Sequence, residues 1–204
     1  MEVWTLSGAA QVVRPEVMPE PAKVSETMMD PRPRKLKSND LVLFLDYDGV
    51  LHPDAVYHTK HGLELRAPGE MMMHAHILTS LLQDFPEVRI VLSTSWARLL
   101  GYSRAKAALP AELQARVVSA TWHSRMTRSP IEGYDSWSRH EQIRAAVTRA
   151  GITRWLAIDD DPDHSWPARD HRLIRCEPTM GLGSEATQVE LRAKLQALVD
   201  TAAG

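Results

Sequence analysis

Residues 41–50 read LVLFLDYDGV: five consecutive apolar side chains running straight into Asp46, Tyr47, Asp48 and Gly49. An unbroken apolar run of this length suits a strand buried on both faces of a parallel sheet, because a strand with one wet face would alternate. Outward from it the same grammar recurs. Residues 88–92 form a second apolar strand, 155–158 a third that ends in acids, and 173–176 an edge strand. Between them, Met73, Ile77, Leu78, Leu81, Leu82 and Phe85 fall at helical spacing and predict a helix over 70–84 that Pro86 ends. Further helices are expected over 97–108 and 111–119. Ser138 and Glu141 make a capping box for a helix with the stripe Ile143, Ala146, Val147 and Ala150, and Gly151 supplies its left-handed stop. A last helix starts near Ser184, with Leu191, Leu195, Leu198 and Val199 on one face. Strands alternating with helices predict an α/β fold: a three-layer, doubly wound parallel sheet with its ligand at the carboxyl ends of the strands.

The chain has 204 residues, 44% of them hydrophobic, and a formal net charge of −2, the profile of one ordinary domain long enough to bury a core. Residues 1–38 are rich in Pro, Met and Glu, lack periodicity and end in the basic PRPRKLK run. They read as a flexible tail before a domain over 39–204. The single Cys176 can neither staple the fold nor build a cysteine zinc site, and fits a small buried hydrophobe in a reducing compartment. No stretch reaches the roughly 18 apolar residues of a membrane span, and no leader pattern opens the chain. A cytoplasmic location is therefore expected. Charge is uneven: over 96–130, Arg98, Arg104, Lys106, Arg116, Arg125 and Arg128 stand against only Glu112, which favours an anionic ligand.

Three strand ends carry groups suited to phosphoryl chemistry. After the first, Asp46 and Asp48 can both face the crevice if the chain turns at Gly49, one carboxylate attacking phosphorus and the other giving a proton to the leaving oxygen. Asp and Gly are also ordinary turn residues. The second strand runs into Ser93, Thr94 and Ser95 at the start of a helix, where hydroxyls and free N–H groups bind an anionic oxygen or simply cap the helix. The third ends in Asp159, Asp160 and Asp161, with Asp163 close behind. Adjacent carboxylates repel unless they share a cation, and a hard metal such as Mg²⁺ answers that need; a solvated acidic loop is the plainer alternative. Arg139 sits at the first position of its helix, where a cation opposes the helix dipole unless an anion lies nearby.

These motifs resemble the haloacid dehalogenase (HAD) superfamily: LVLFLDYDGV is similar to its first motif, RIVLS to its second, Arg139 in SRHEQI to the Lys of its third and WLAIDD to its fourth. The stretches LFLDYDGVLHP, STSW and AIDDD most resemble HAD domains associated with RNA-repair proteins. The resemblance implies a HAD-like Rossmannoid fold and a phosphatase in which Asp46 forms an aspartyl-phosphate while Asp48 acts as general acid, then base. Mg²⁺ would be held by Asp46, the Asp48 carbonyl and Asp160, with Asp159 assisting. Ser93 or Thr94, Gly49 and Arg139 would grip the phosphoryl oxygens, Arg keeping the charge of the usual Lys with a different geometry.

Only about 20 residues follow Gly49 before the next helix, too few for a compact cap domain, so a capless or minimally capped site open to large substrates such as nucleic-acid ends is expected. Trp96, Trp122, His123 and Trp137 either line its entrance, stacking on bases, or pack in the core. His52, His58 and His61 read as scattered surface histidines. A second class of function is a non-catalytic module that binds RNA or protein through the basic segment and tail.

Overall fold

The computed structural model describes residues 35–123, 126, 134–161, 164–168 and 170–203. Residues 1–34 of the expected tail, Arg125, Arg128 and Asp163 lie outside these. Five parallel strands form one sheet in the order β5-β4-β1-β6-β7: β1 Leu41–Leu45, β4 Val88–Leu92, β5 Val117–Ala120, β6 Arg154–Asp159 and β7 Leu173–Arg175. A separate antiparallel pair, β2 Val56–Thr59 and β3 Gly62–Leu65, makes a hairpin between β1 and the first helix.

Strand β1 is central and wholly buried, as its unbroken apolar run predicts. Leu41, Leu43 and Leu45 enter one core with Leu78, Leu82, Leu191 and Leu195; Val42 and Phe44 enter a second with Ile143, Ala146 and Trp155. The sheet is thus sandwiched between helix layers, and the doubly wound three-layer expectation holds. The first core is lined by α1 Ala75–Gln83 and α6 Glu185–Ala203, the second by α5 Arg139–Ala150. In the α5 capping box, the Glu141 amide donates to Ser138 Oγ at 3.3 Å and the Ser138 amide to Glu141 Oε2 at 2.7 Å. Gly151 closes the helix at φ +66°. Such a box contributes about 1 kcal/mol. Cys176 is buried and unpaired.

Two expected helices change. The first begins at Ala75 rather than near residue 70, because Met72 adopts φ +62° and Gly69 φ +110°, conformations a helix cannot contain. Met73, assigned to its apolar stripe, is left 37% exposed ahead of the helix. The region after β4 divides into α2 Ser95–Leu99, α3 Tyr102–Ala107 and α4 Ala111–Arg116, with Gly101 at φ +84° separating the first two. Residues 117–119, expected to be helical, belong to β5: the β-branched pair Val117 and Val118 fits a pleated edge better than another helical turn.

Part of the basic segment is tied into the fold. Arg116 donates to the carbonyls of Leu82 at 2.7 Å and Phe85 at 2.8 Å, closing the end of α1, and buried Lys106 donates to Val117 O at 3.3 Å. Burial pushes both cations below their ordinary pKa values. Two of the six residues are therefore structural ties, and Arg98 lines the cavity described below. No helix among the described residues is long and apolar enough to cross a membrane.

Candidate active site

Sheet register decides which residues meet. Leu45 pairs with Leu92 on one side and Ile158 on the other, so the residues just beyond, Asp46, Ser93 and Asp159, emerge side by side. Backbone bonds carry the alignment past the strands: Ser93 N–H donates to Leu45 O at 2.8 Å and Asp46 N–H to Ile158 O at 3.1 Å. Beyond them opens a cavity of about 330 Å³ whose wall includes Asp46, Asp48, Thr94, Arg139, Asp159 and Asp160.

Asp46 is buried, its Oδ1 accepting from the Tyr47 amide at 2.7 Å and its Oδ2 lying 3.3 Å from an Arg139 guanidinium nitrogen. Arg139 Nε also stands 3.4 Å from Asp159 Oδ2, so the cation at the start of α5 finds two carboxylates, the anion its helix position calls for. Burial opposes its charge, but Asp46 and Asp159 more than offset this and its pKa moves up. The pKa values of the acids also move up, which for them favours the neutral form. Burial raises the pKa of Asp46 against the pull of Arg139, and burial together with Asp46 raises that of Asp159. For Asp160, burial and then Asp46 push it up to about 7.

Asp46, Asp159 and Asp160 each offer an oxygen within 4.8 Å of the others. Asp160 Oδ2 is buried without a hydrogen-bond partner. Converging acids with raised pKa values and an orphaned oxygen suit a divalent cation. Asp161 stands apart: it takes φ +46°, its Oδ1 accepts from the Ser165 amide at 2.7 Å, and its Oδ2 meets Arg175 at 2.9 Å. The third acid of the row already has its partners within the protein. Its own amide donates to Asp159 Oδ1 at 2.8 Å, fixing that side chain.

Gly49 has φ +68°, and a Cβ there would fall on the Asp160 carboxylate, 2.6 Å from its Cγ. The loop after β1 is held from behind by the turn before α6, where Leu182 N–H donates to Val50 O at 2.9 Å. Of the two hydroxyls, Thr94 lines the cavity, accepts from the Trp96 amide at 3.3 Å and helps to lower the pKa of Asp46 against its burial. Ser93 Oγ is buried without a partner and is not on the cavity wall.

Sequence reasoning misplaced one residue and did not foresee the polar contact of another. His52 is fully buried, not a surface histidine, and its Nε2 lies 3.1 Å from Asp48 Oδ1. Trp96 is buried too, its indole N–H donating to Asp48 Oδ2 at 3.1 Å. The available signal was position alone: His52 follows Asp48 by one short turn, and Trp96 opens the helix that faces it. Trp122 and Trp137, half-buried, line the cavity with Arg98.

A family profile described as the HAD domain in Swiss Army Knife RNA repair proteins matches residues 42–187. The chain belongs to this family. None of the curated proteins matches it. The HAD domain so delimited runs from β1 into the first turn of α6 and contains every residue of the cavity wall named above. HAD domains are generally hydrolases of the phosphatase type that use a divalent metal, and the buried acid triad of this one fits such a site.

Proposed function

We propose that this HAD domain, over residues 39–204, is a Mg²⁺-dependent phosphomonoester hydrolase that works through an aspartyl-phosphate on Asp46, with nucleotide or nucleic-acid phosphate ends as substrates. The observation that carries the reading is the buried Asp46 carboxylate held by Arg139 at 3.3 Å, with Asp48 on the same cavity wall. In the first step an Asp46 oxygen attacks phosphorus, the bond to the leaving oxygen breaks, and Asp48 gives that oxygen its proton. In the second, Asp48 takes a proton from water, the water oxygen attacks phosphorus, and the bond to Asp46 breaks. Arg139 and Thr94, both on the cavity wall, stand beside the nucleophile and supply donors for the phosphoryl oxygens, and the Cβ-free Gly49 leaves the Asp160 carboxylate its room. Asp46, the Asp48 carbonyl and Asp160, assisted by Asp159, would hold Mg²⁺, whose chemistry is to neutralise charge on the transferring group.

The half-buried Trp122 and Trp137 beside Arg98 offer aromatic faces to a base next to the reacting phosphate, and the family's occurrence in RNA repair proteins points the same way. The hairpin β2–β3 is the only structure between β1 and α1, which supports a minimal cap on that side and a large substrate. The lone buried Cys176 supports a reducing, cytoplasmic setting. A purely RNA- or protein-binding role draws less support, because Arg116 and Lys106 of the basic segment are tied into the fold.

Release of phosphate from p-nitrophenyl phosphate and from 3′- and 5′-phosphorylated oligonucleotides, present with Mg²⁺ and absent with a chelator, tests the reading; no release from any of them with Mg²⁺ would overturn it. Thermal melting gives a second check. Asp160 has its pKa raised from 3.8 to about 7, so its contribution to stability is present below the unfolded value and is lost as pH rises through the folded one. Mg²⁺ relieves this only once the acid is ionised. The gain in Tm on adding Mg²⁺ should therefore be larger at about pH 8 than at about pH 5. An equal gain at both would count against Asp160 as a ligand.

A further inference from the structure

Asp48 carries more preorganisation than a turn residue needs. Its carboxylate is contacted from two independent elements: Trp96 Nε1, from the start of α2, donates to Oδ2 at 3.1 Å and reaches Oδ1 at 3.3 Å, while His52 Nε2 lies 3.1 Å from Oδ1. Both rings are buried, His52 completely, though the Asp48 side chain keeps 22% of its surface open toward the cavity. The indole can only donate. What the imidazole does depends on its other nitrogen, and the structure answers that. The Met72 amide points at Nδ1 from 3.4 Å, so Nδ1 accepts and the ring proton is left at Nε2, aimed at Asp48. Met72 presents its amide from a left-handed conformation, φ +62°, that an unbranched L residue adopts only under local constraint. The rings also brace one another: His52 and Trp96 centroids are 5.7 Å apart, and Trp96 packs edge-on against Tyr47 at 5.4 Å.

We propose that His52 and Trp96 are positioning residues for proton transfer, two ring N–H groups that lock the Asp48 carboxylate in one orientation beside the leaving oxygen, with the Met72 amide setting the His52 tautomer. This rests on the reading of Asp48 as the acid and base of a phosphatase. A carboxyl group so held gives up its proton without first reorienting, and the carboxylate left behind is met by two donors already in place. Proton donation matters most when the leaving oxygen is strongly basic. An alkyl phosphomonoester needs it; p-nitrophenyl phosphate, with its weakly basic leaving group, hardly does.

The test is the ratio of kcat/KM on a 3′-phosphorylated oligonucleotide to kcat/KM on p-nitrophenyl phosphate, both with Mg²⁺, because kcat/KM reports the first displacement and leaves out the second, which the two substrates share. In Trp96→Phe, which keeps a packed aromatic ring, and in His52→Leu, that ratio should fall by about 10-fold or more, part of what a general acid contributes. His52→Gln, which can return a donor near the position of Nε2, should restore much of it. Equal losses on both substrates would mark a merely structural role and overturn the proposal, as would an unchanged ratio; Trp96→Phe decides alone if His52→Leu does not fold. The tautomer is checked without turnover by nitrogen NMR of the His52 ring near neutral pH. A proton found at Nδ1 would overturn the proposal whatever the activity, whereas Nε2–H with no phosphatase activity in the unsubstituted protein would sink the hydrolase reading and the proton-transfer role with it.

Discussion

Asp46→Asn should cut turnover of any phosphomonoester substrate by about 10⁴-fold or more, the scale on which removal of a covalent nucleophile acts. The amide keeps the volume of the side chain and can still accept from the Tyr47 amide, so the loop after β1 has no reason to move. Stability should respond differently from activity. Burial raises the pKa of Asp46, so ionising it in place is unfavourable, and a neutral amide removes that cost. Arg139 still keeps Asp159 as its partner at 3.4 Å. A Tm near that of the unsubstituted protein, with activity gone, is the expected pair of results from melting and steady-state kinetics. Activity retained within about tenfold would show that another group attacks phosphorus.

Gly49→Ala has the next largest expected effect, and it acts through geometry alone. At φ +68° an alanine is strained by roughly 1–2 kcal/mol, and its methyl would occupy the space of the Asp160 carboxylate. Either the loop shifts away from Asp46 or Asp160 swings out of the acid triad. Mg²⁺ affinity should fall by about 10- to 100-fold, as it does when the support of a metal ligand is lost. Gly101→Ala separates the two causes, since it has φ +84° and nothing within 4 Å of a new Cβ. It should lower Tm while leaving Mg²⁺ binding, measured by calorimetry, intact. Equal effects of the two substitutions on Mg²⁺ binding would remove the close approach of Gly49 to Asp160 from the explanation.

The fold was legible where packing and local chemistry agree. A strand buried on both faces has to be apolar throughout, so β1 could be read directly, and with β4 and β6 in the same grammar the meeting of Asp46, Ser93 and Asp159 followed from strand ends alone. The capping box of Ser138 and Glu141 and the stop at Gly151 are local, and both are found as read. What could not be read depends on tertiary context. Val117–Ala120 becomes a strand because the edge of β4 is there to pair with, although the preceding AELQAR favours helix. Met72 departs from helical backbone in a stretch whose apolar spacing is helical. The acids at 159–161 look equivalent in sequence, and only Arg175 and Ser165, brought in from further along the chain, remove Asp161 from the group. His52 escaped because burial of a lone histidine leaves no periodic signature.

The central claim is a covalent phosphoryl group on Asp46 between two displacements, and the stereochemical course at phosphorus tests it most directly. Each in-line displacement inverts the phosphorus centre. Hydrolysis of a phosphorothioate monoester made chiral with two oxygen isotopes, carried out in water labelled with the third, should give inorganic thiophosphate with overall retention, the sum of two inversions through the aspartyl-phosphate. Overall inversion would mean that water attacks the substrate directly, and Asp46 would not be the nucleophile.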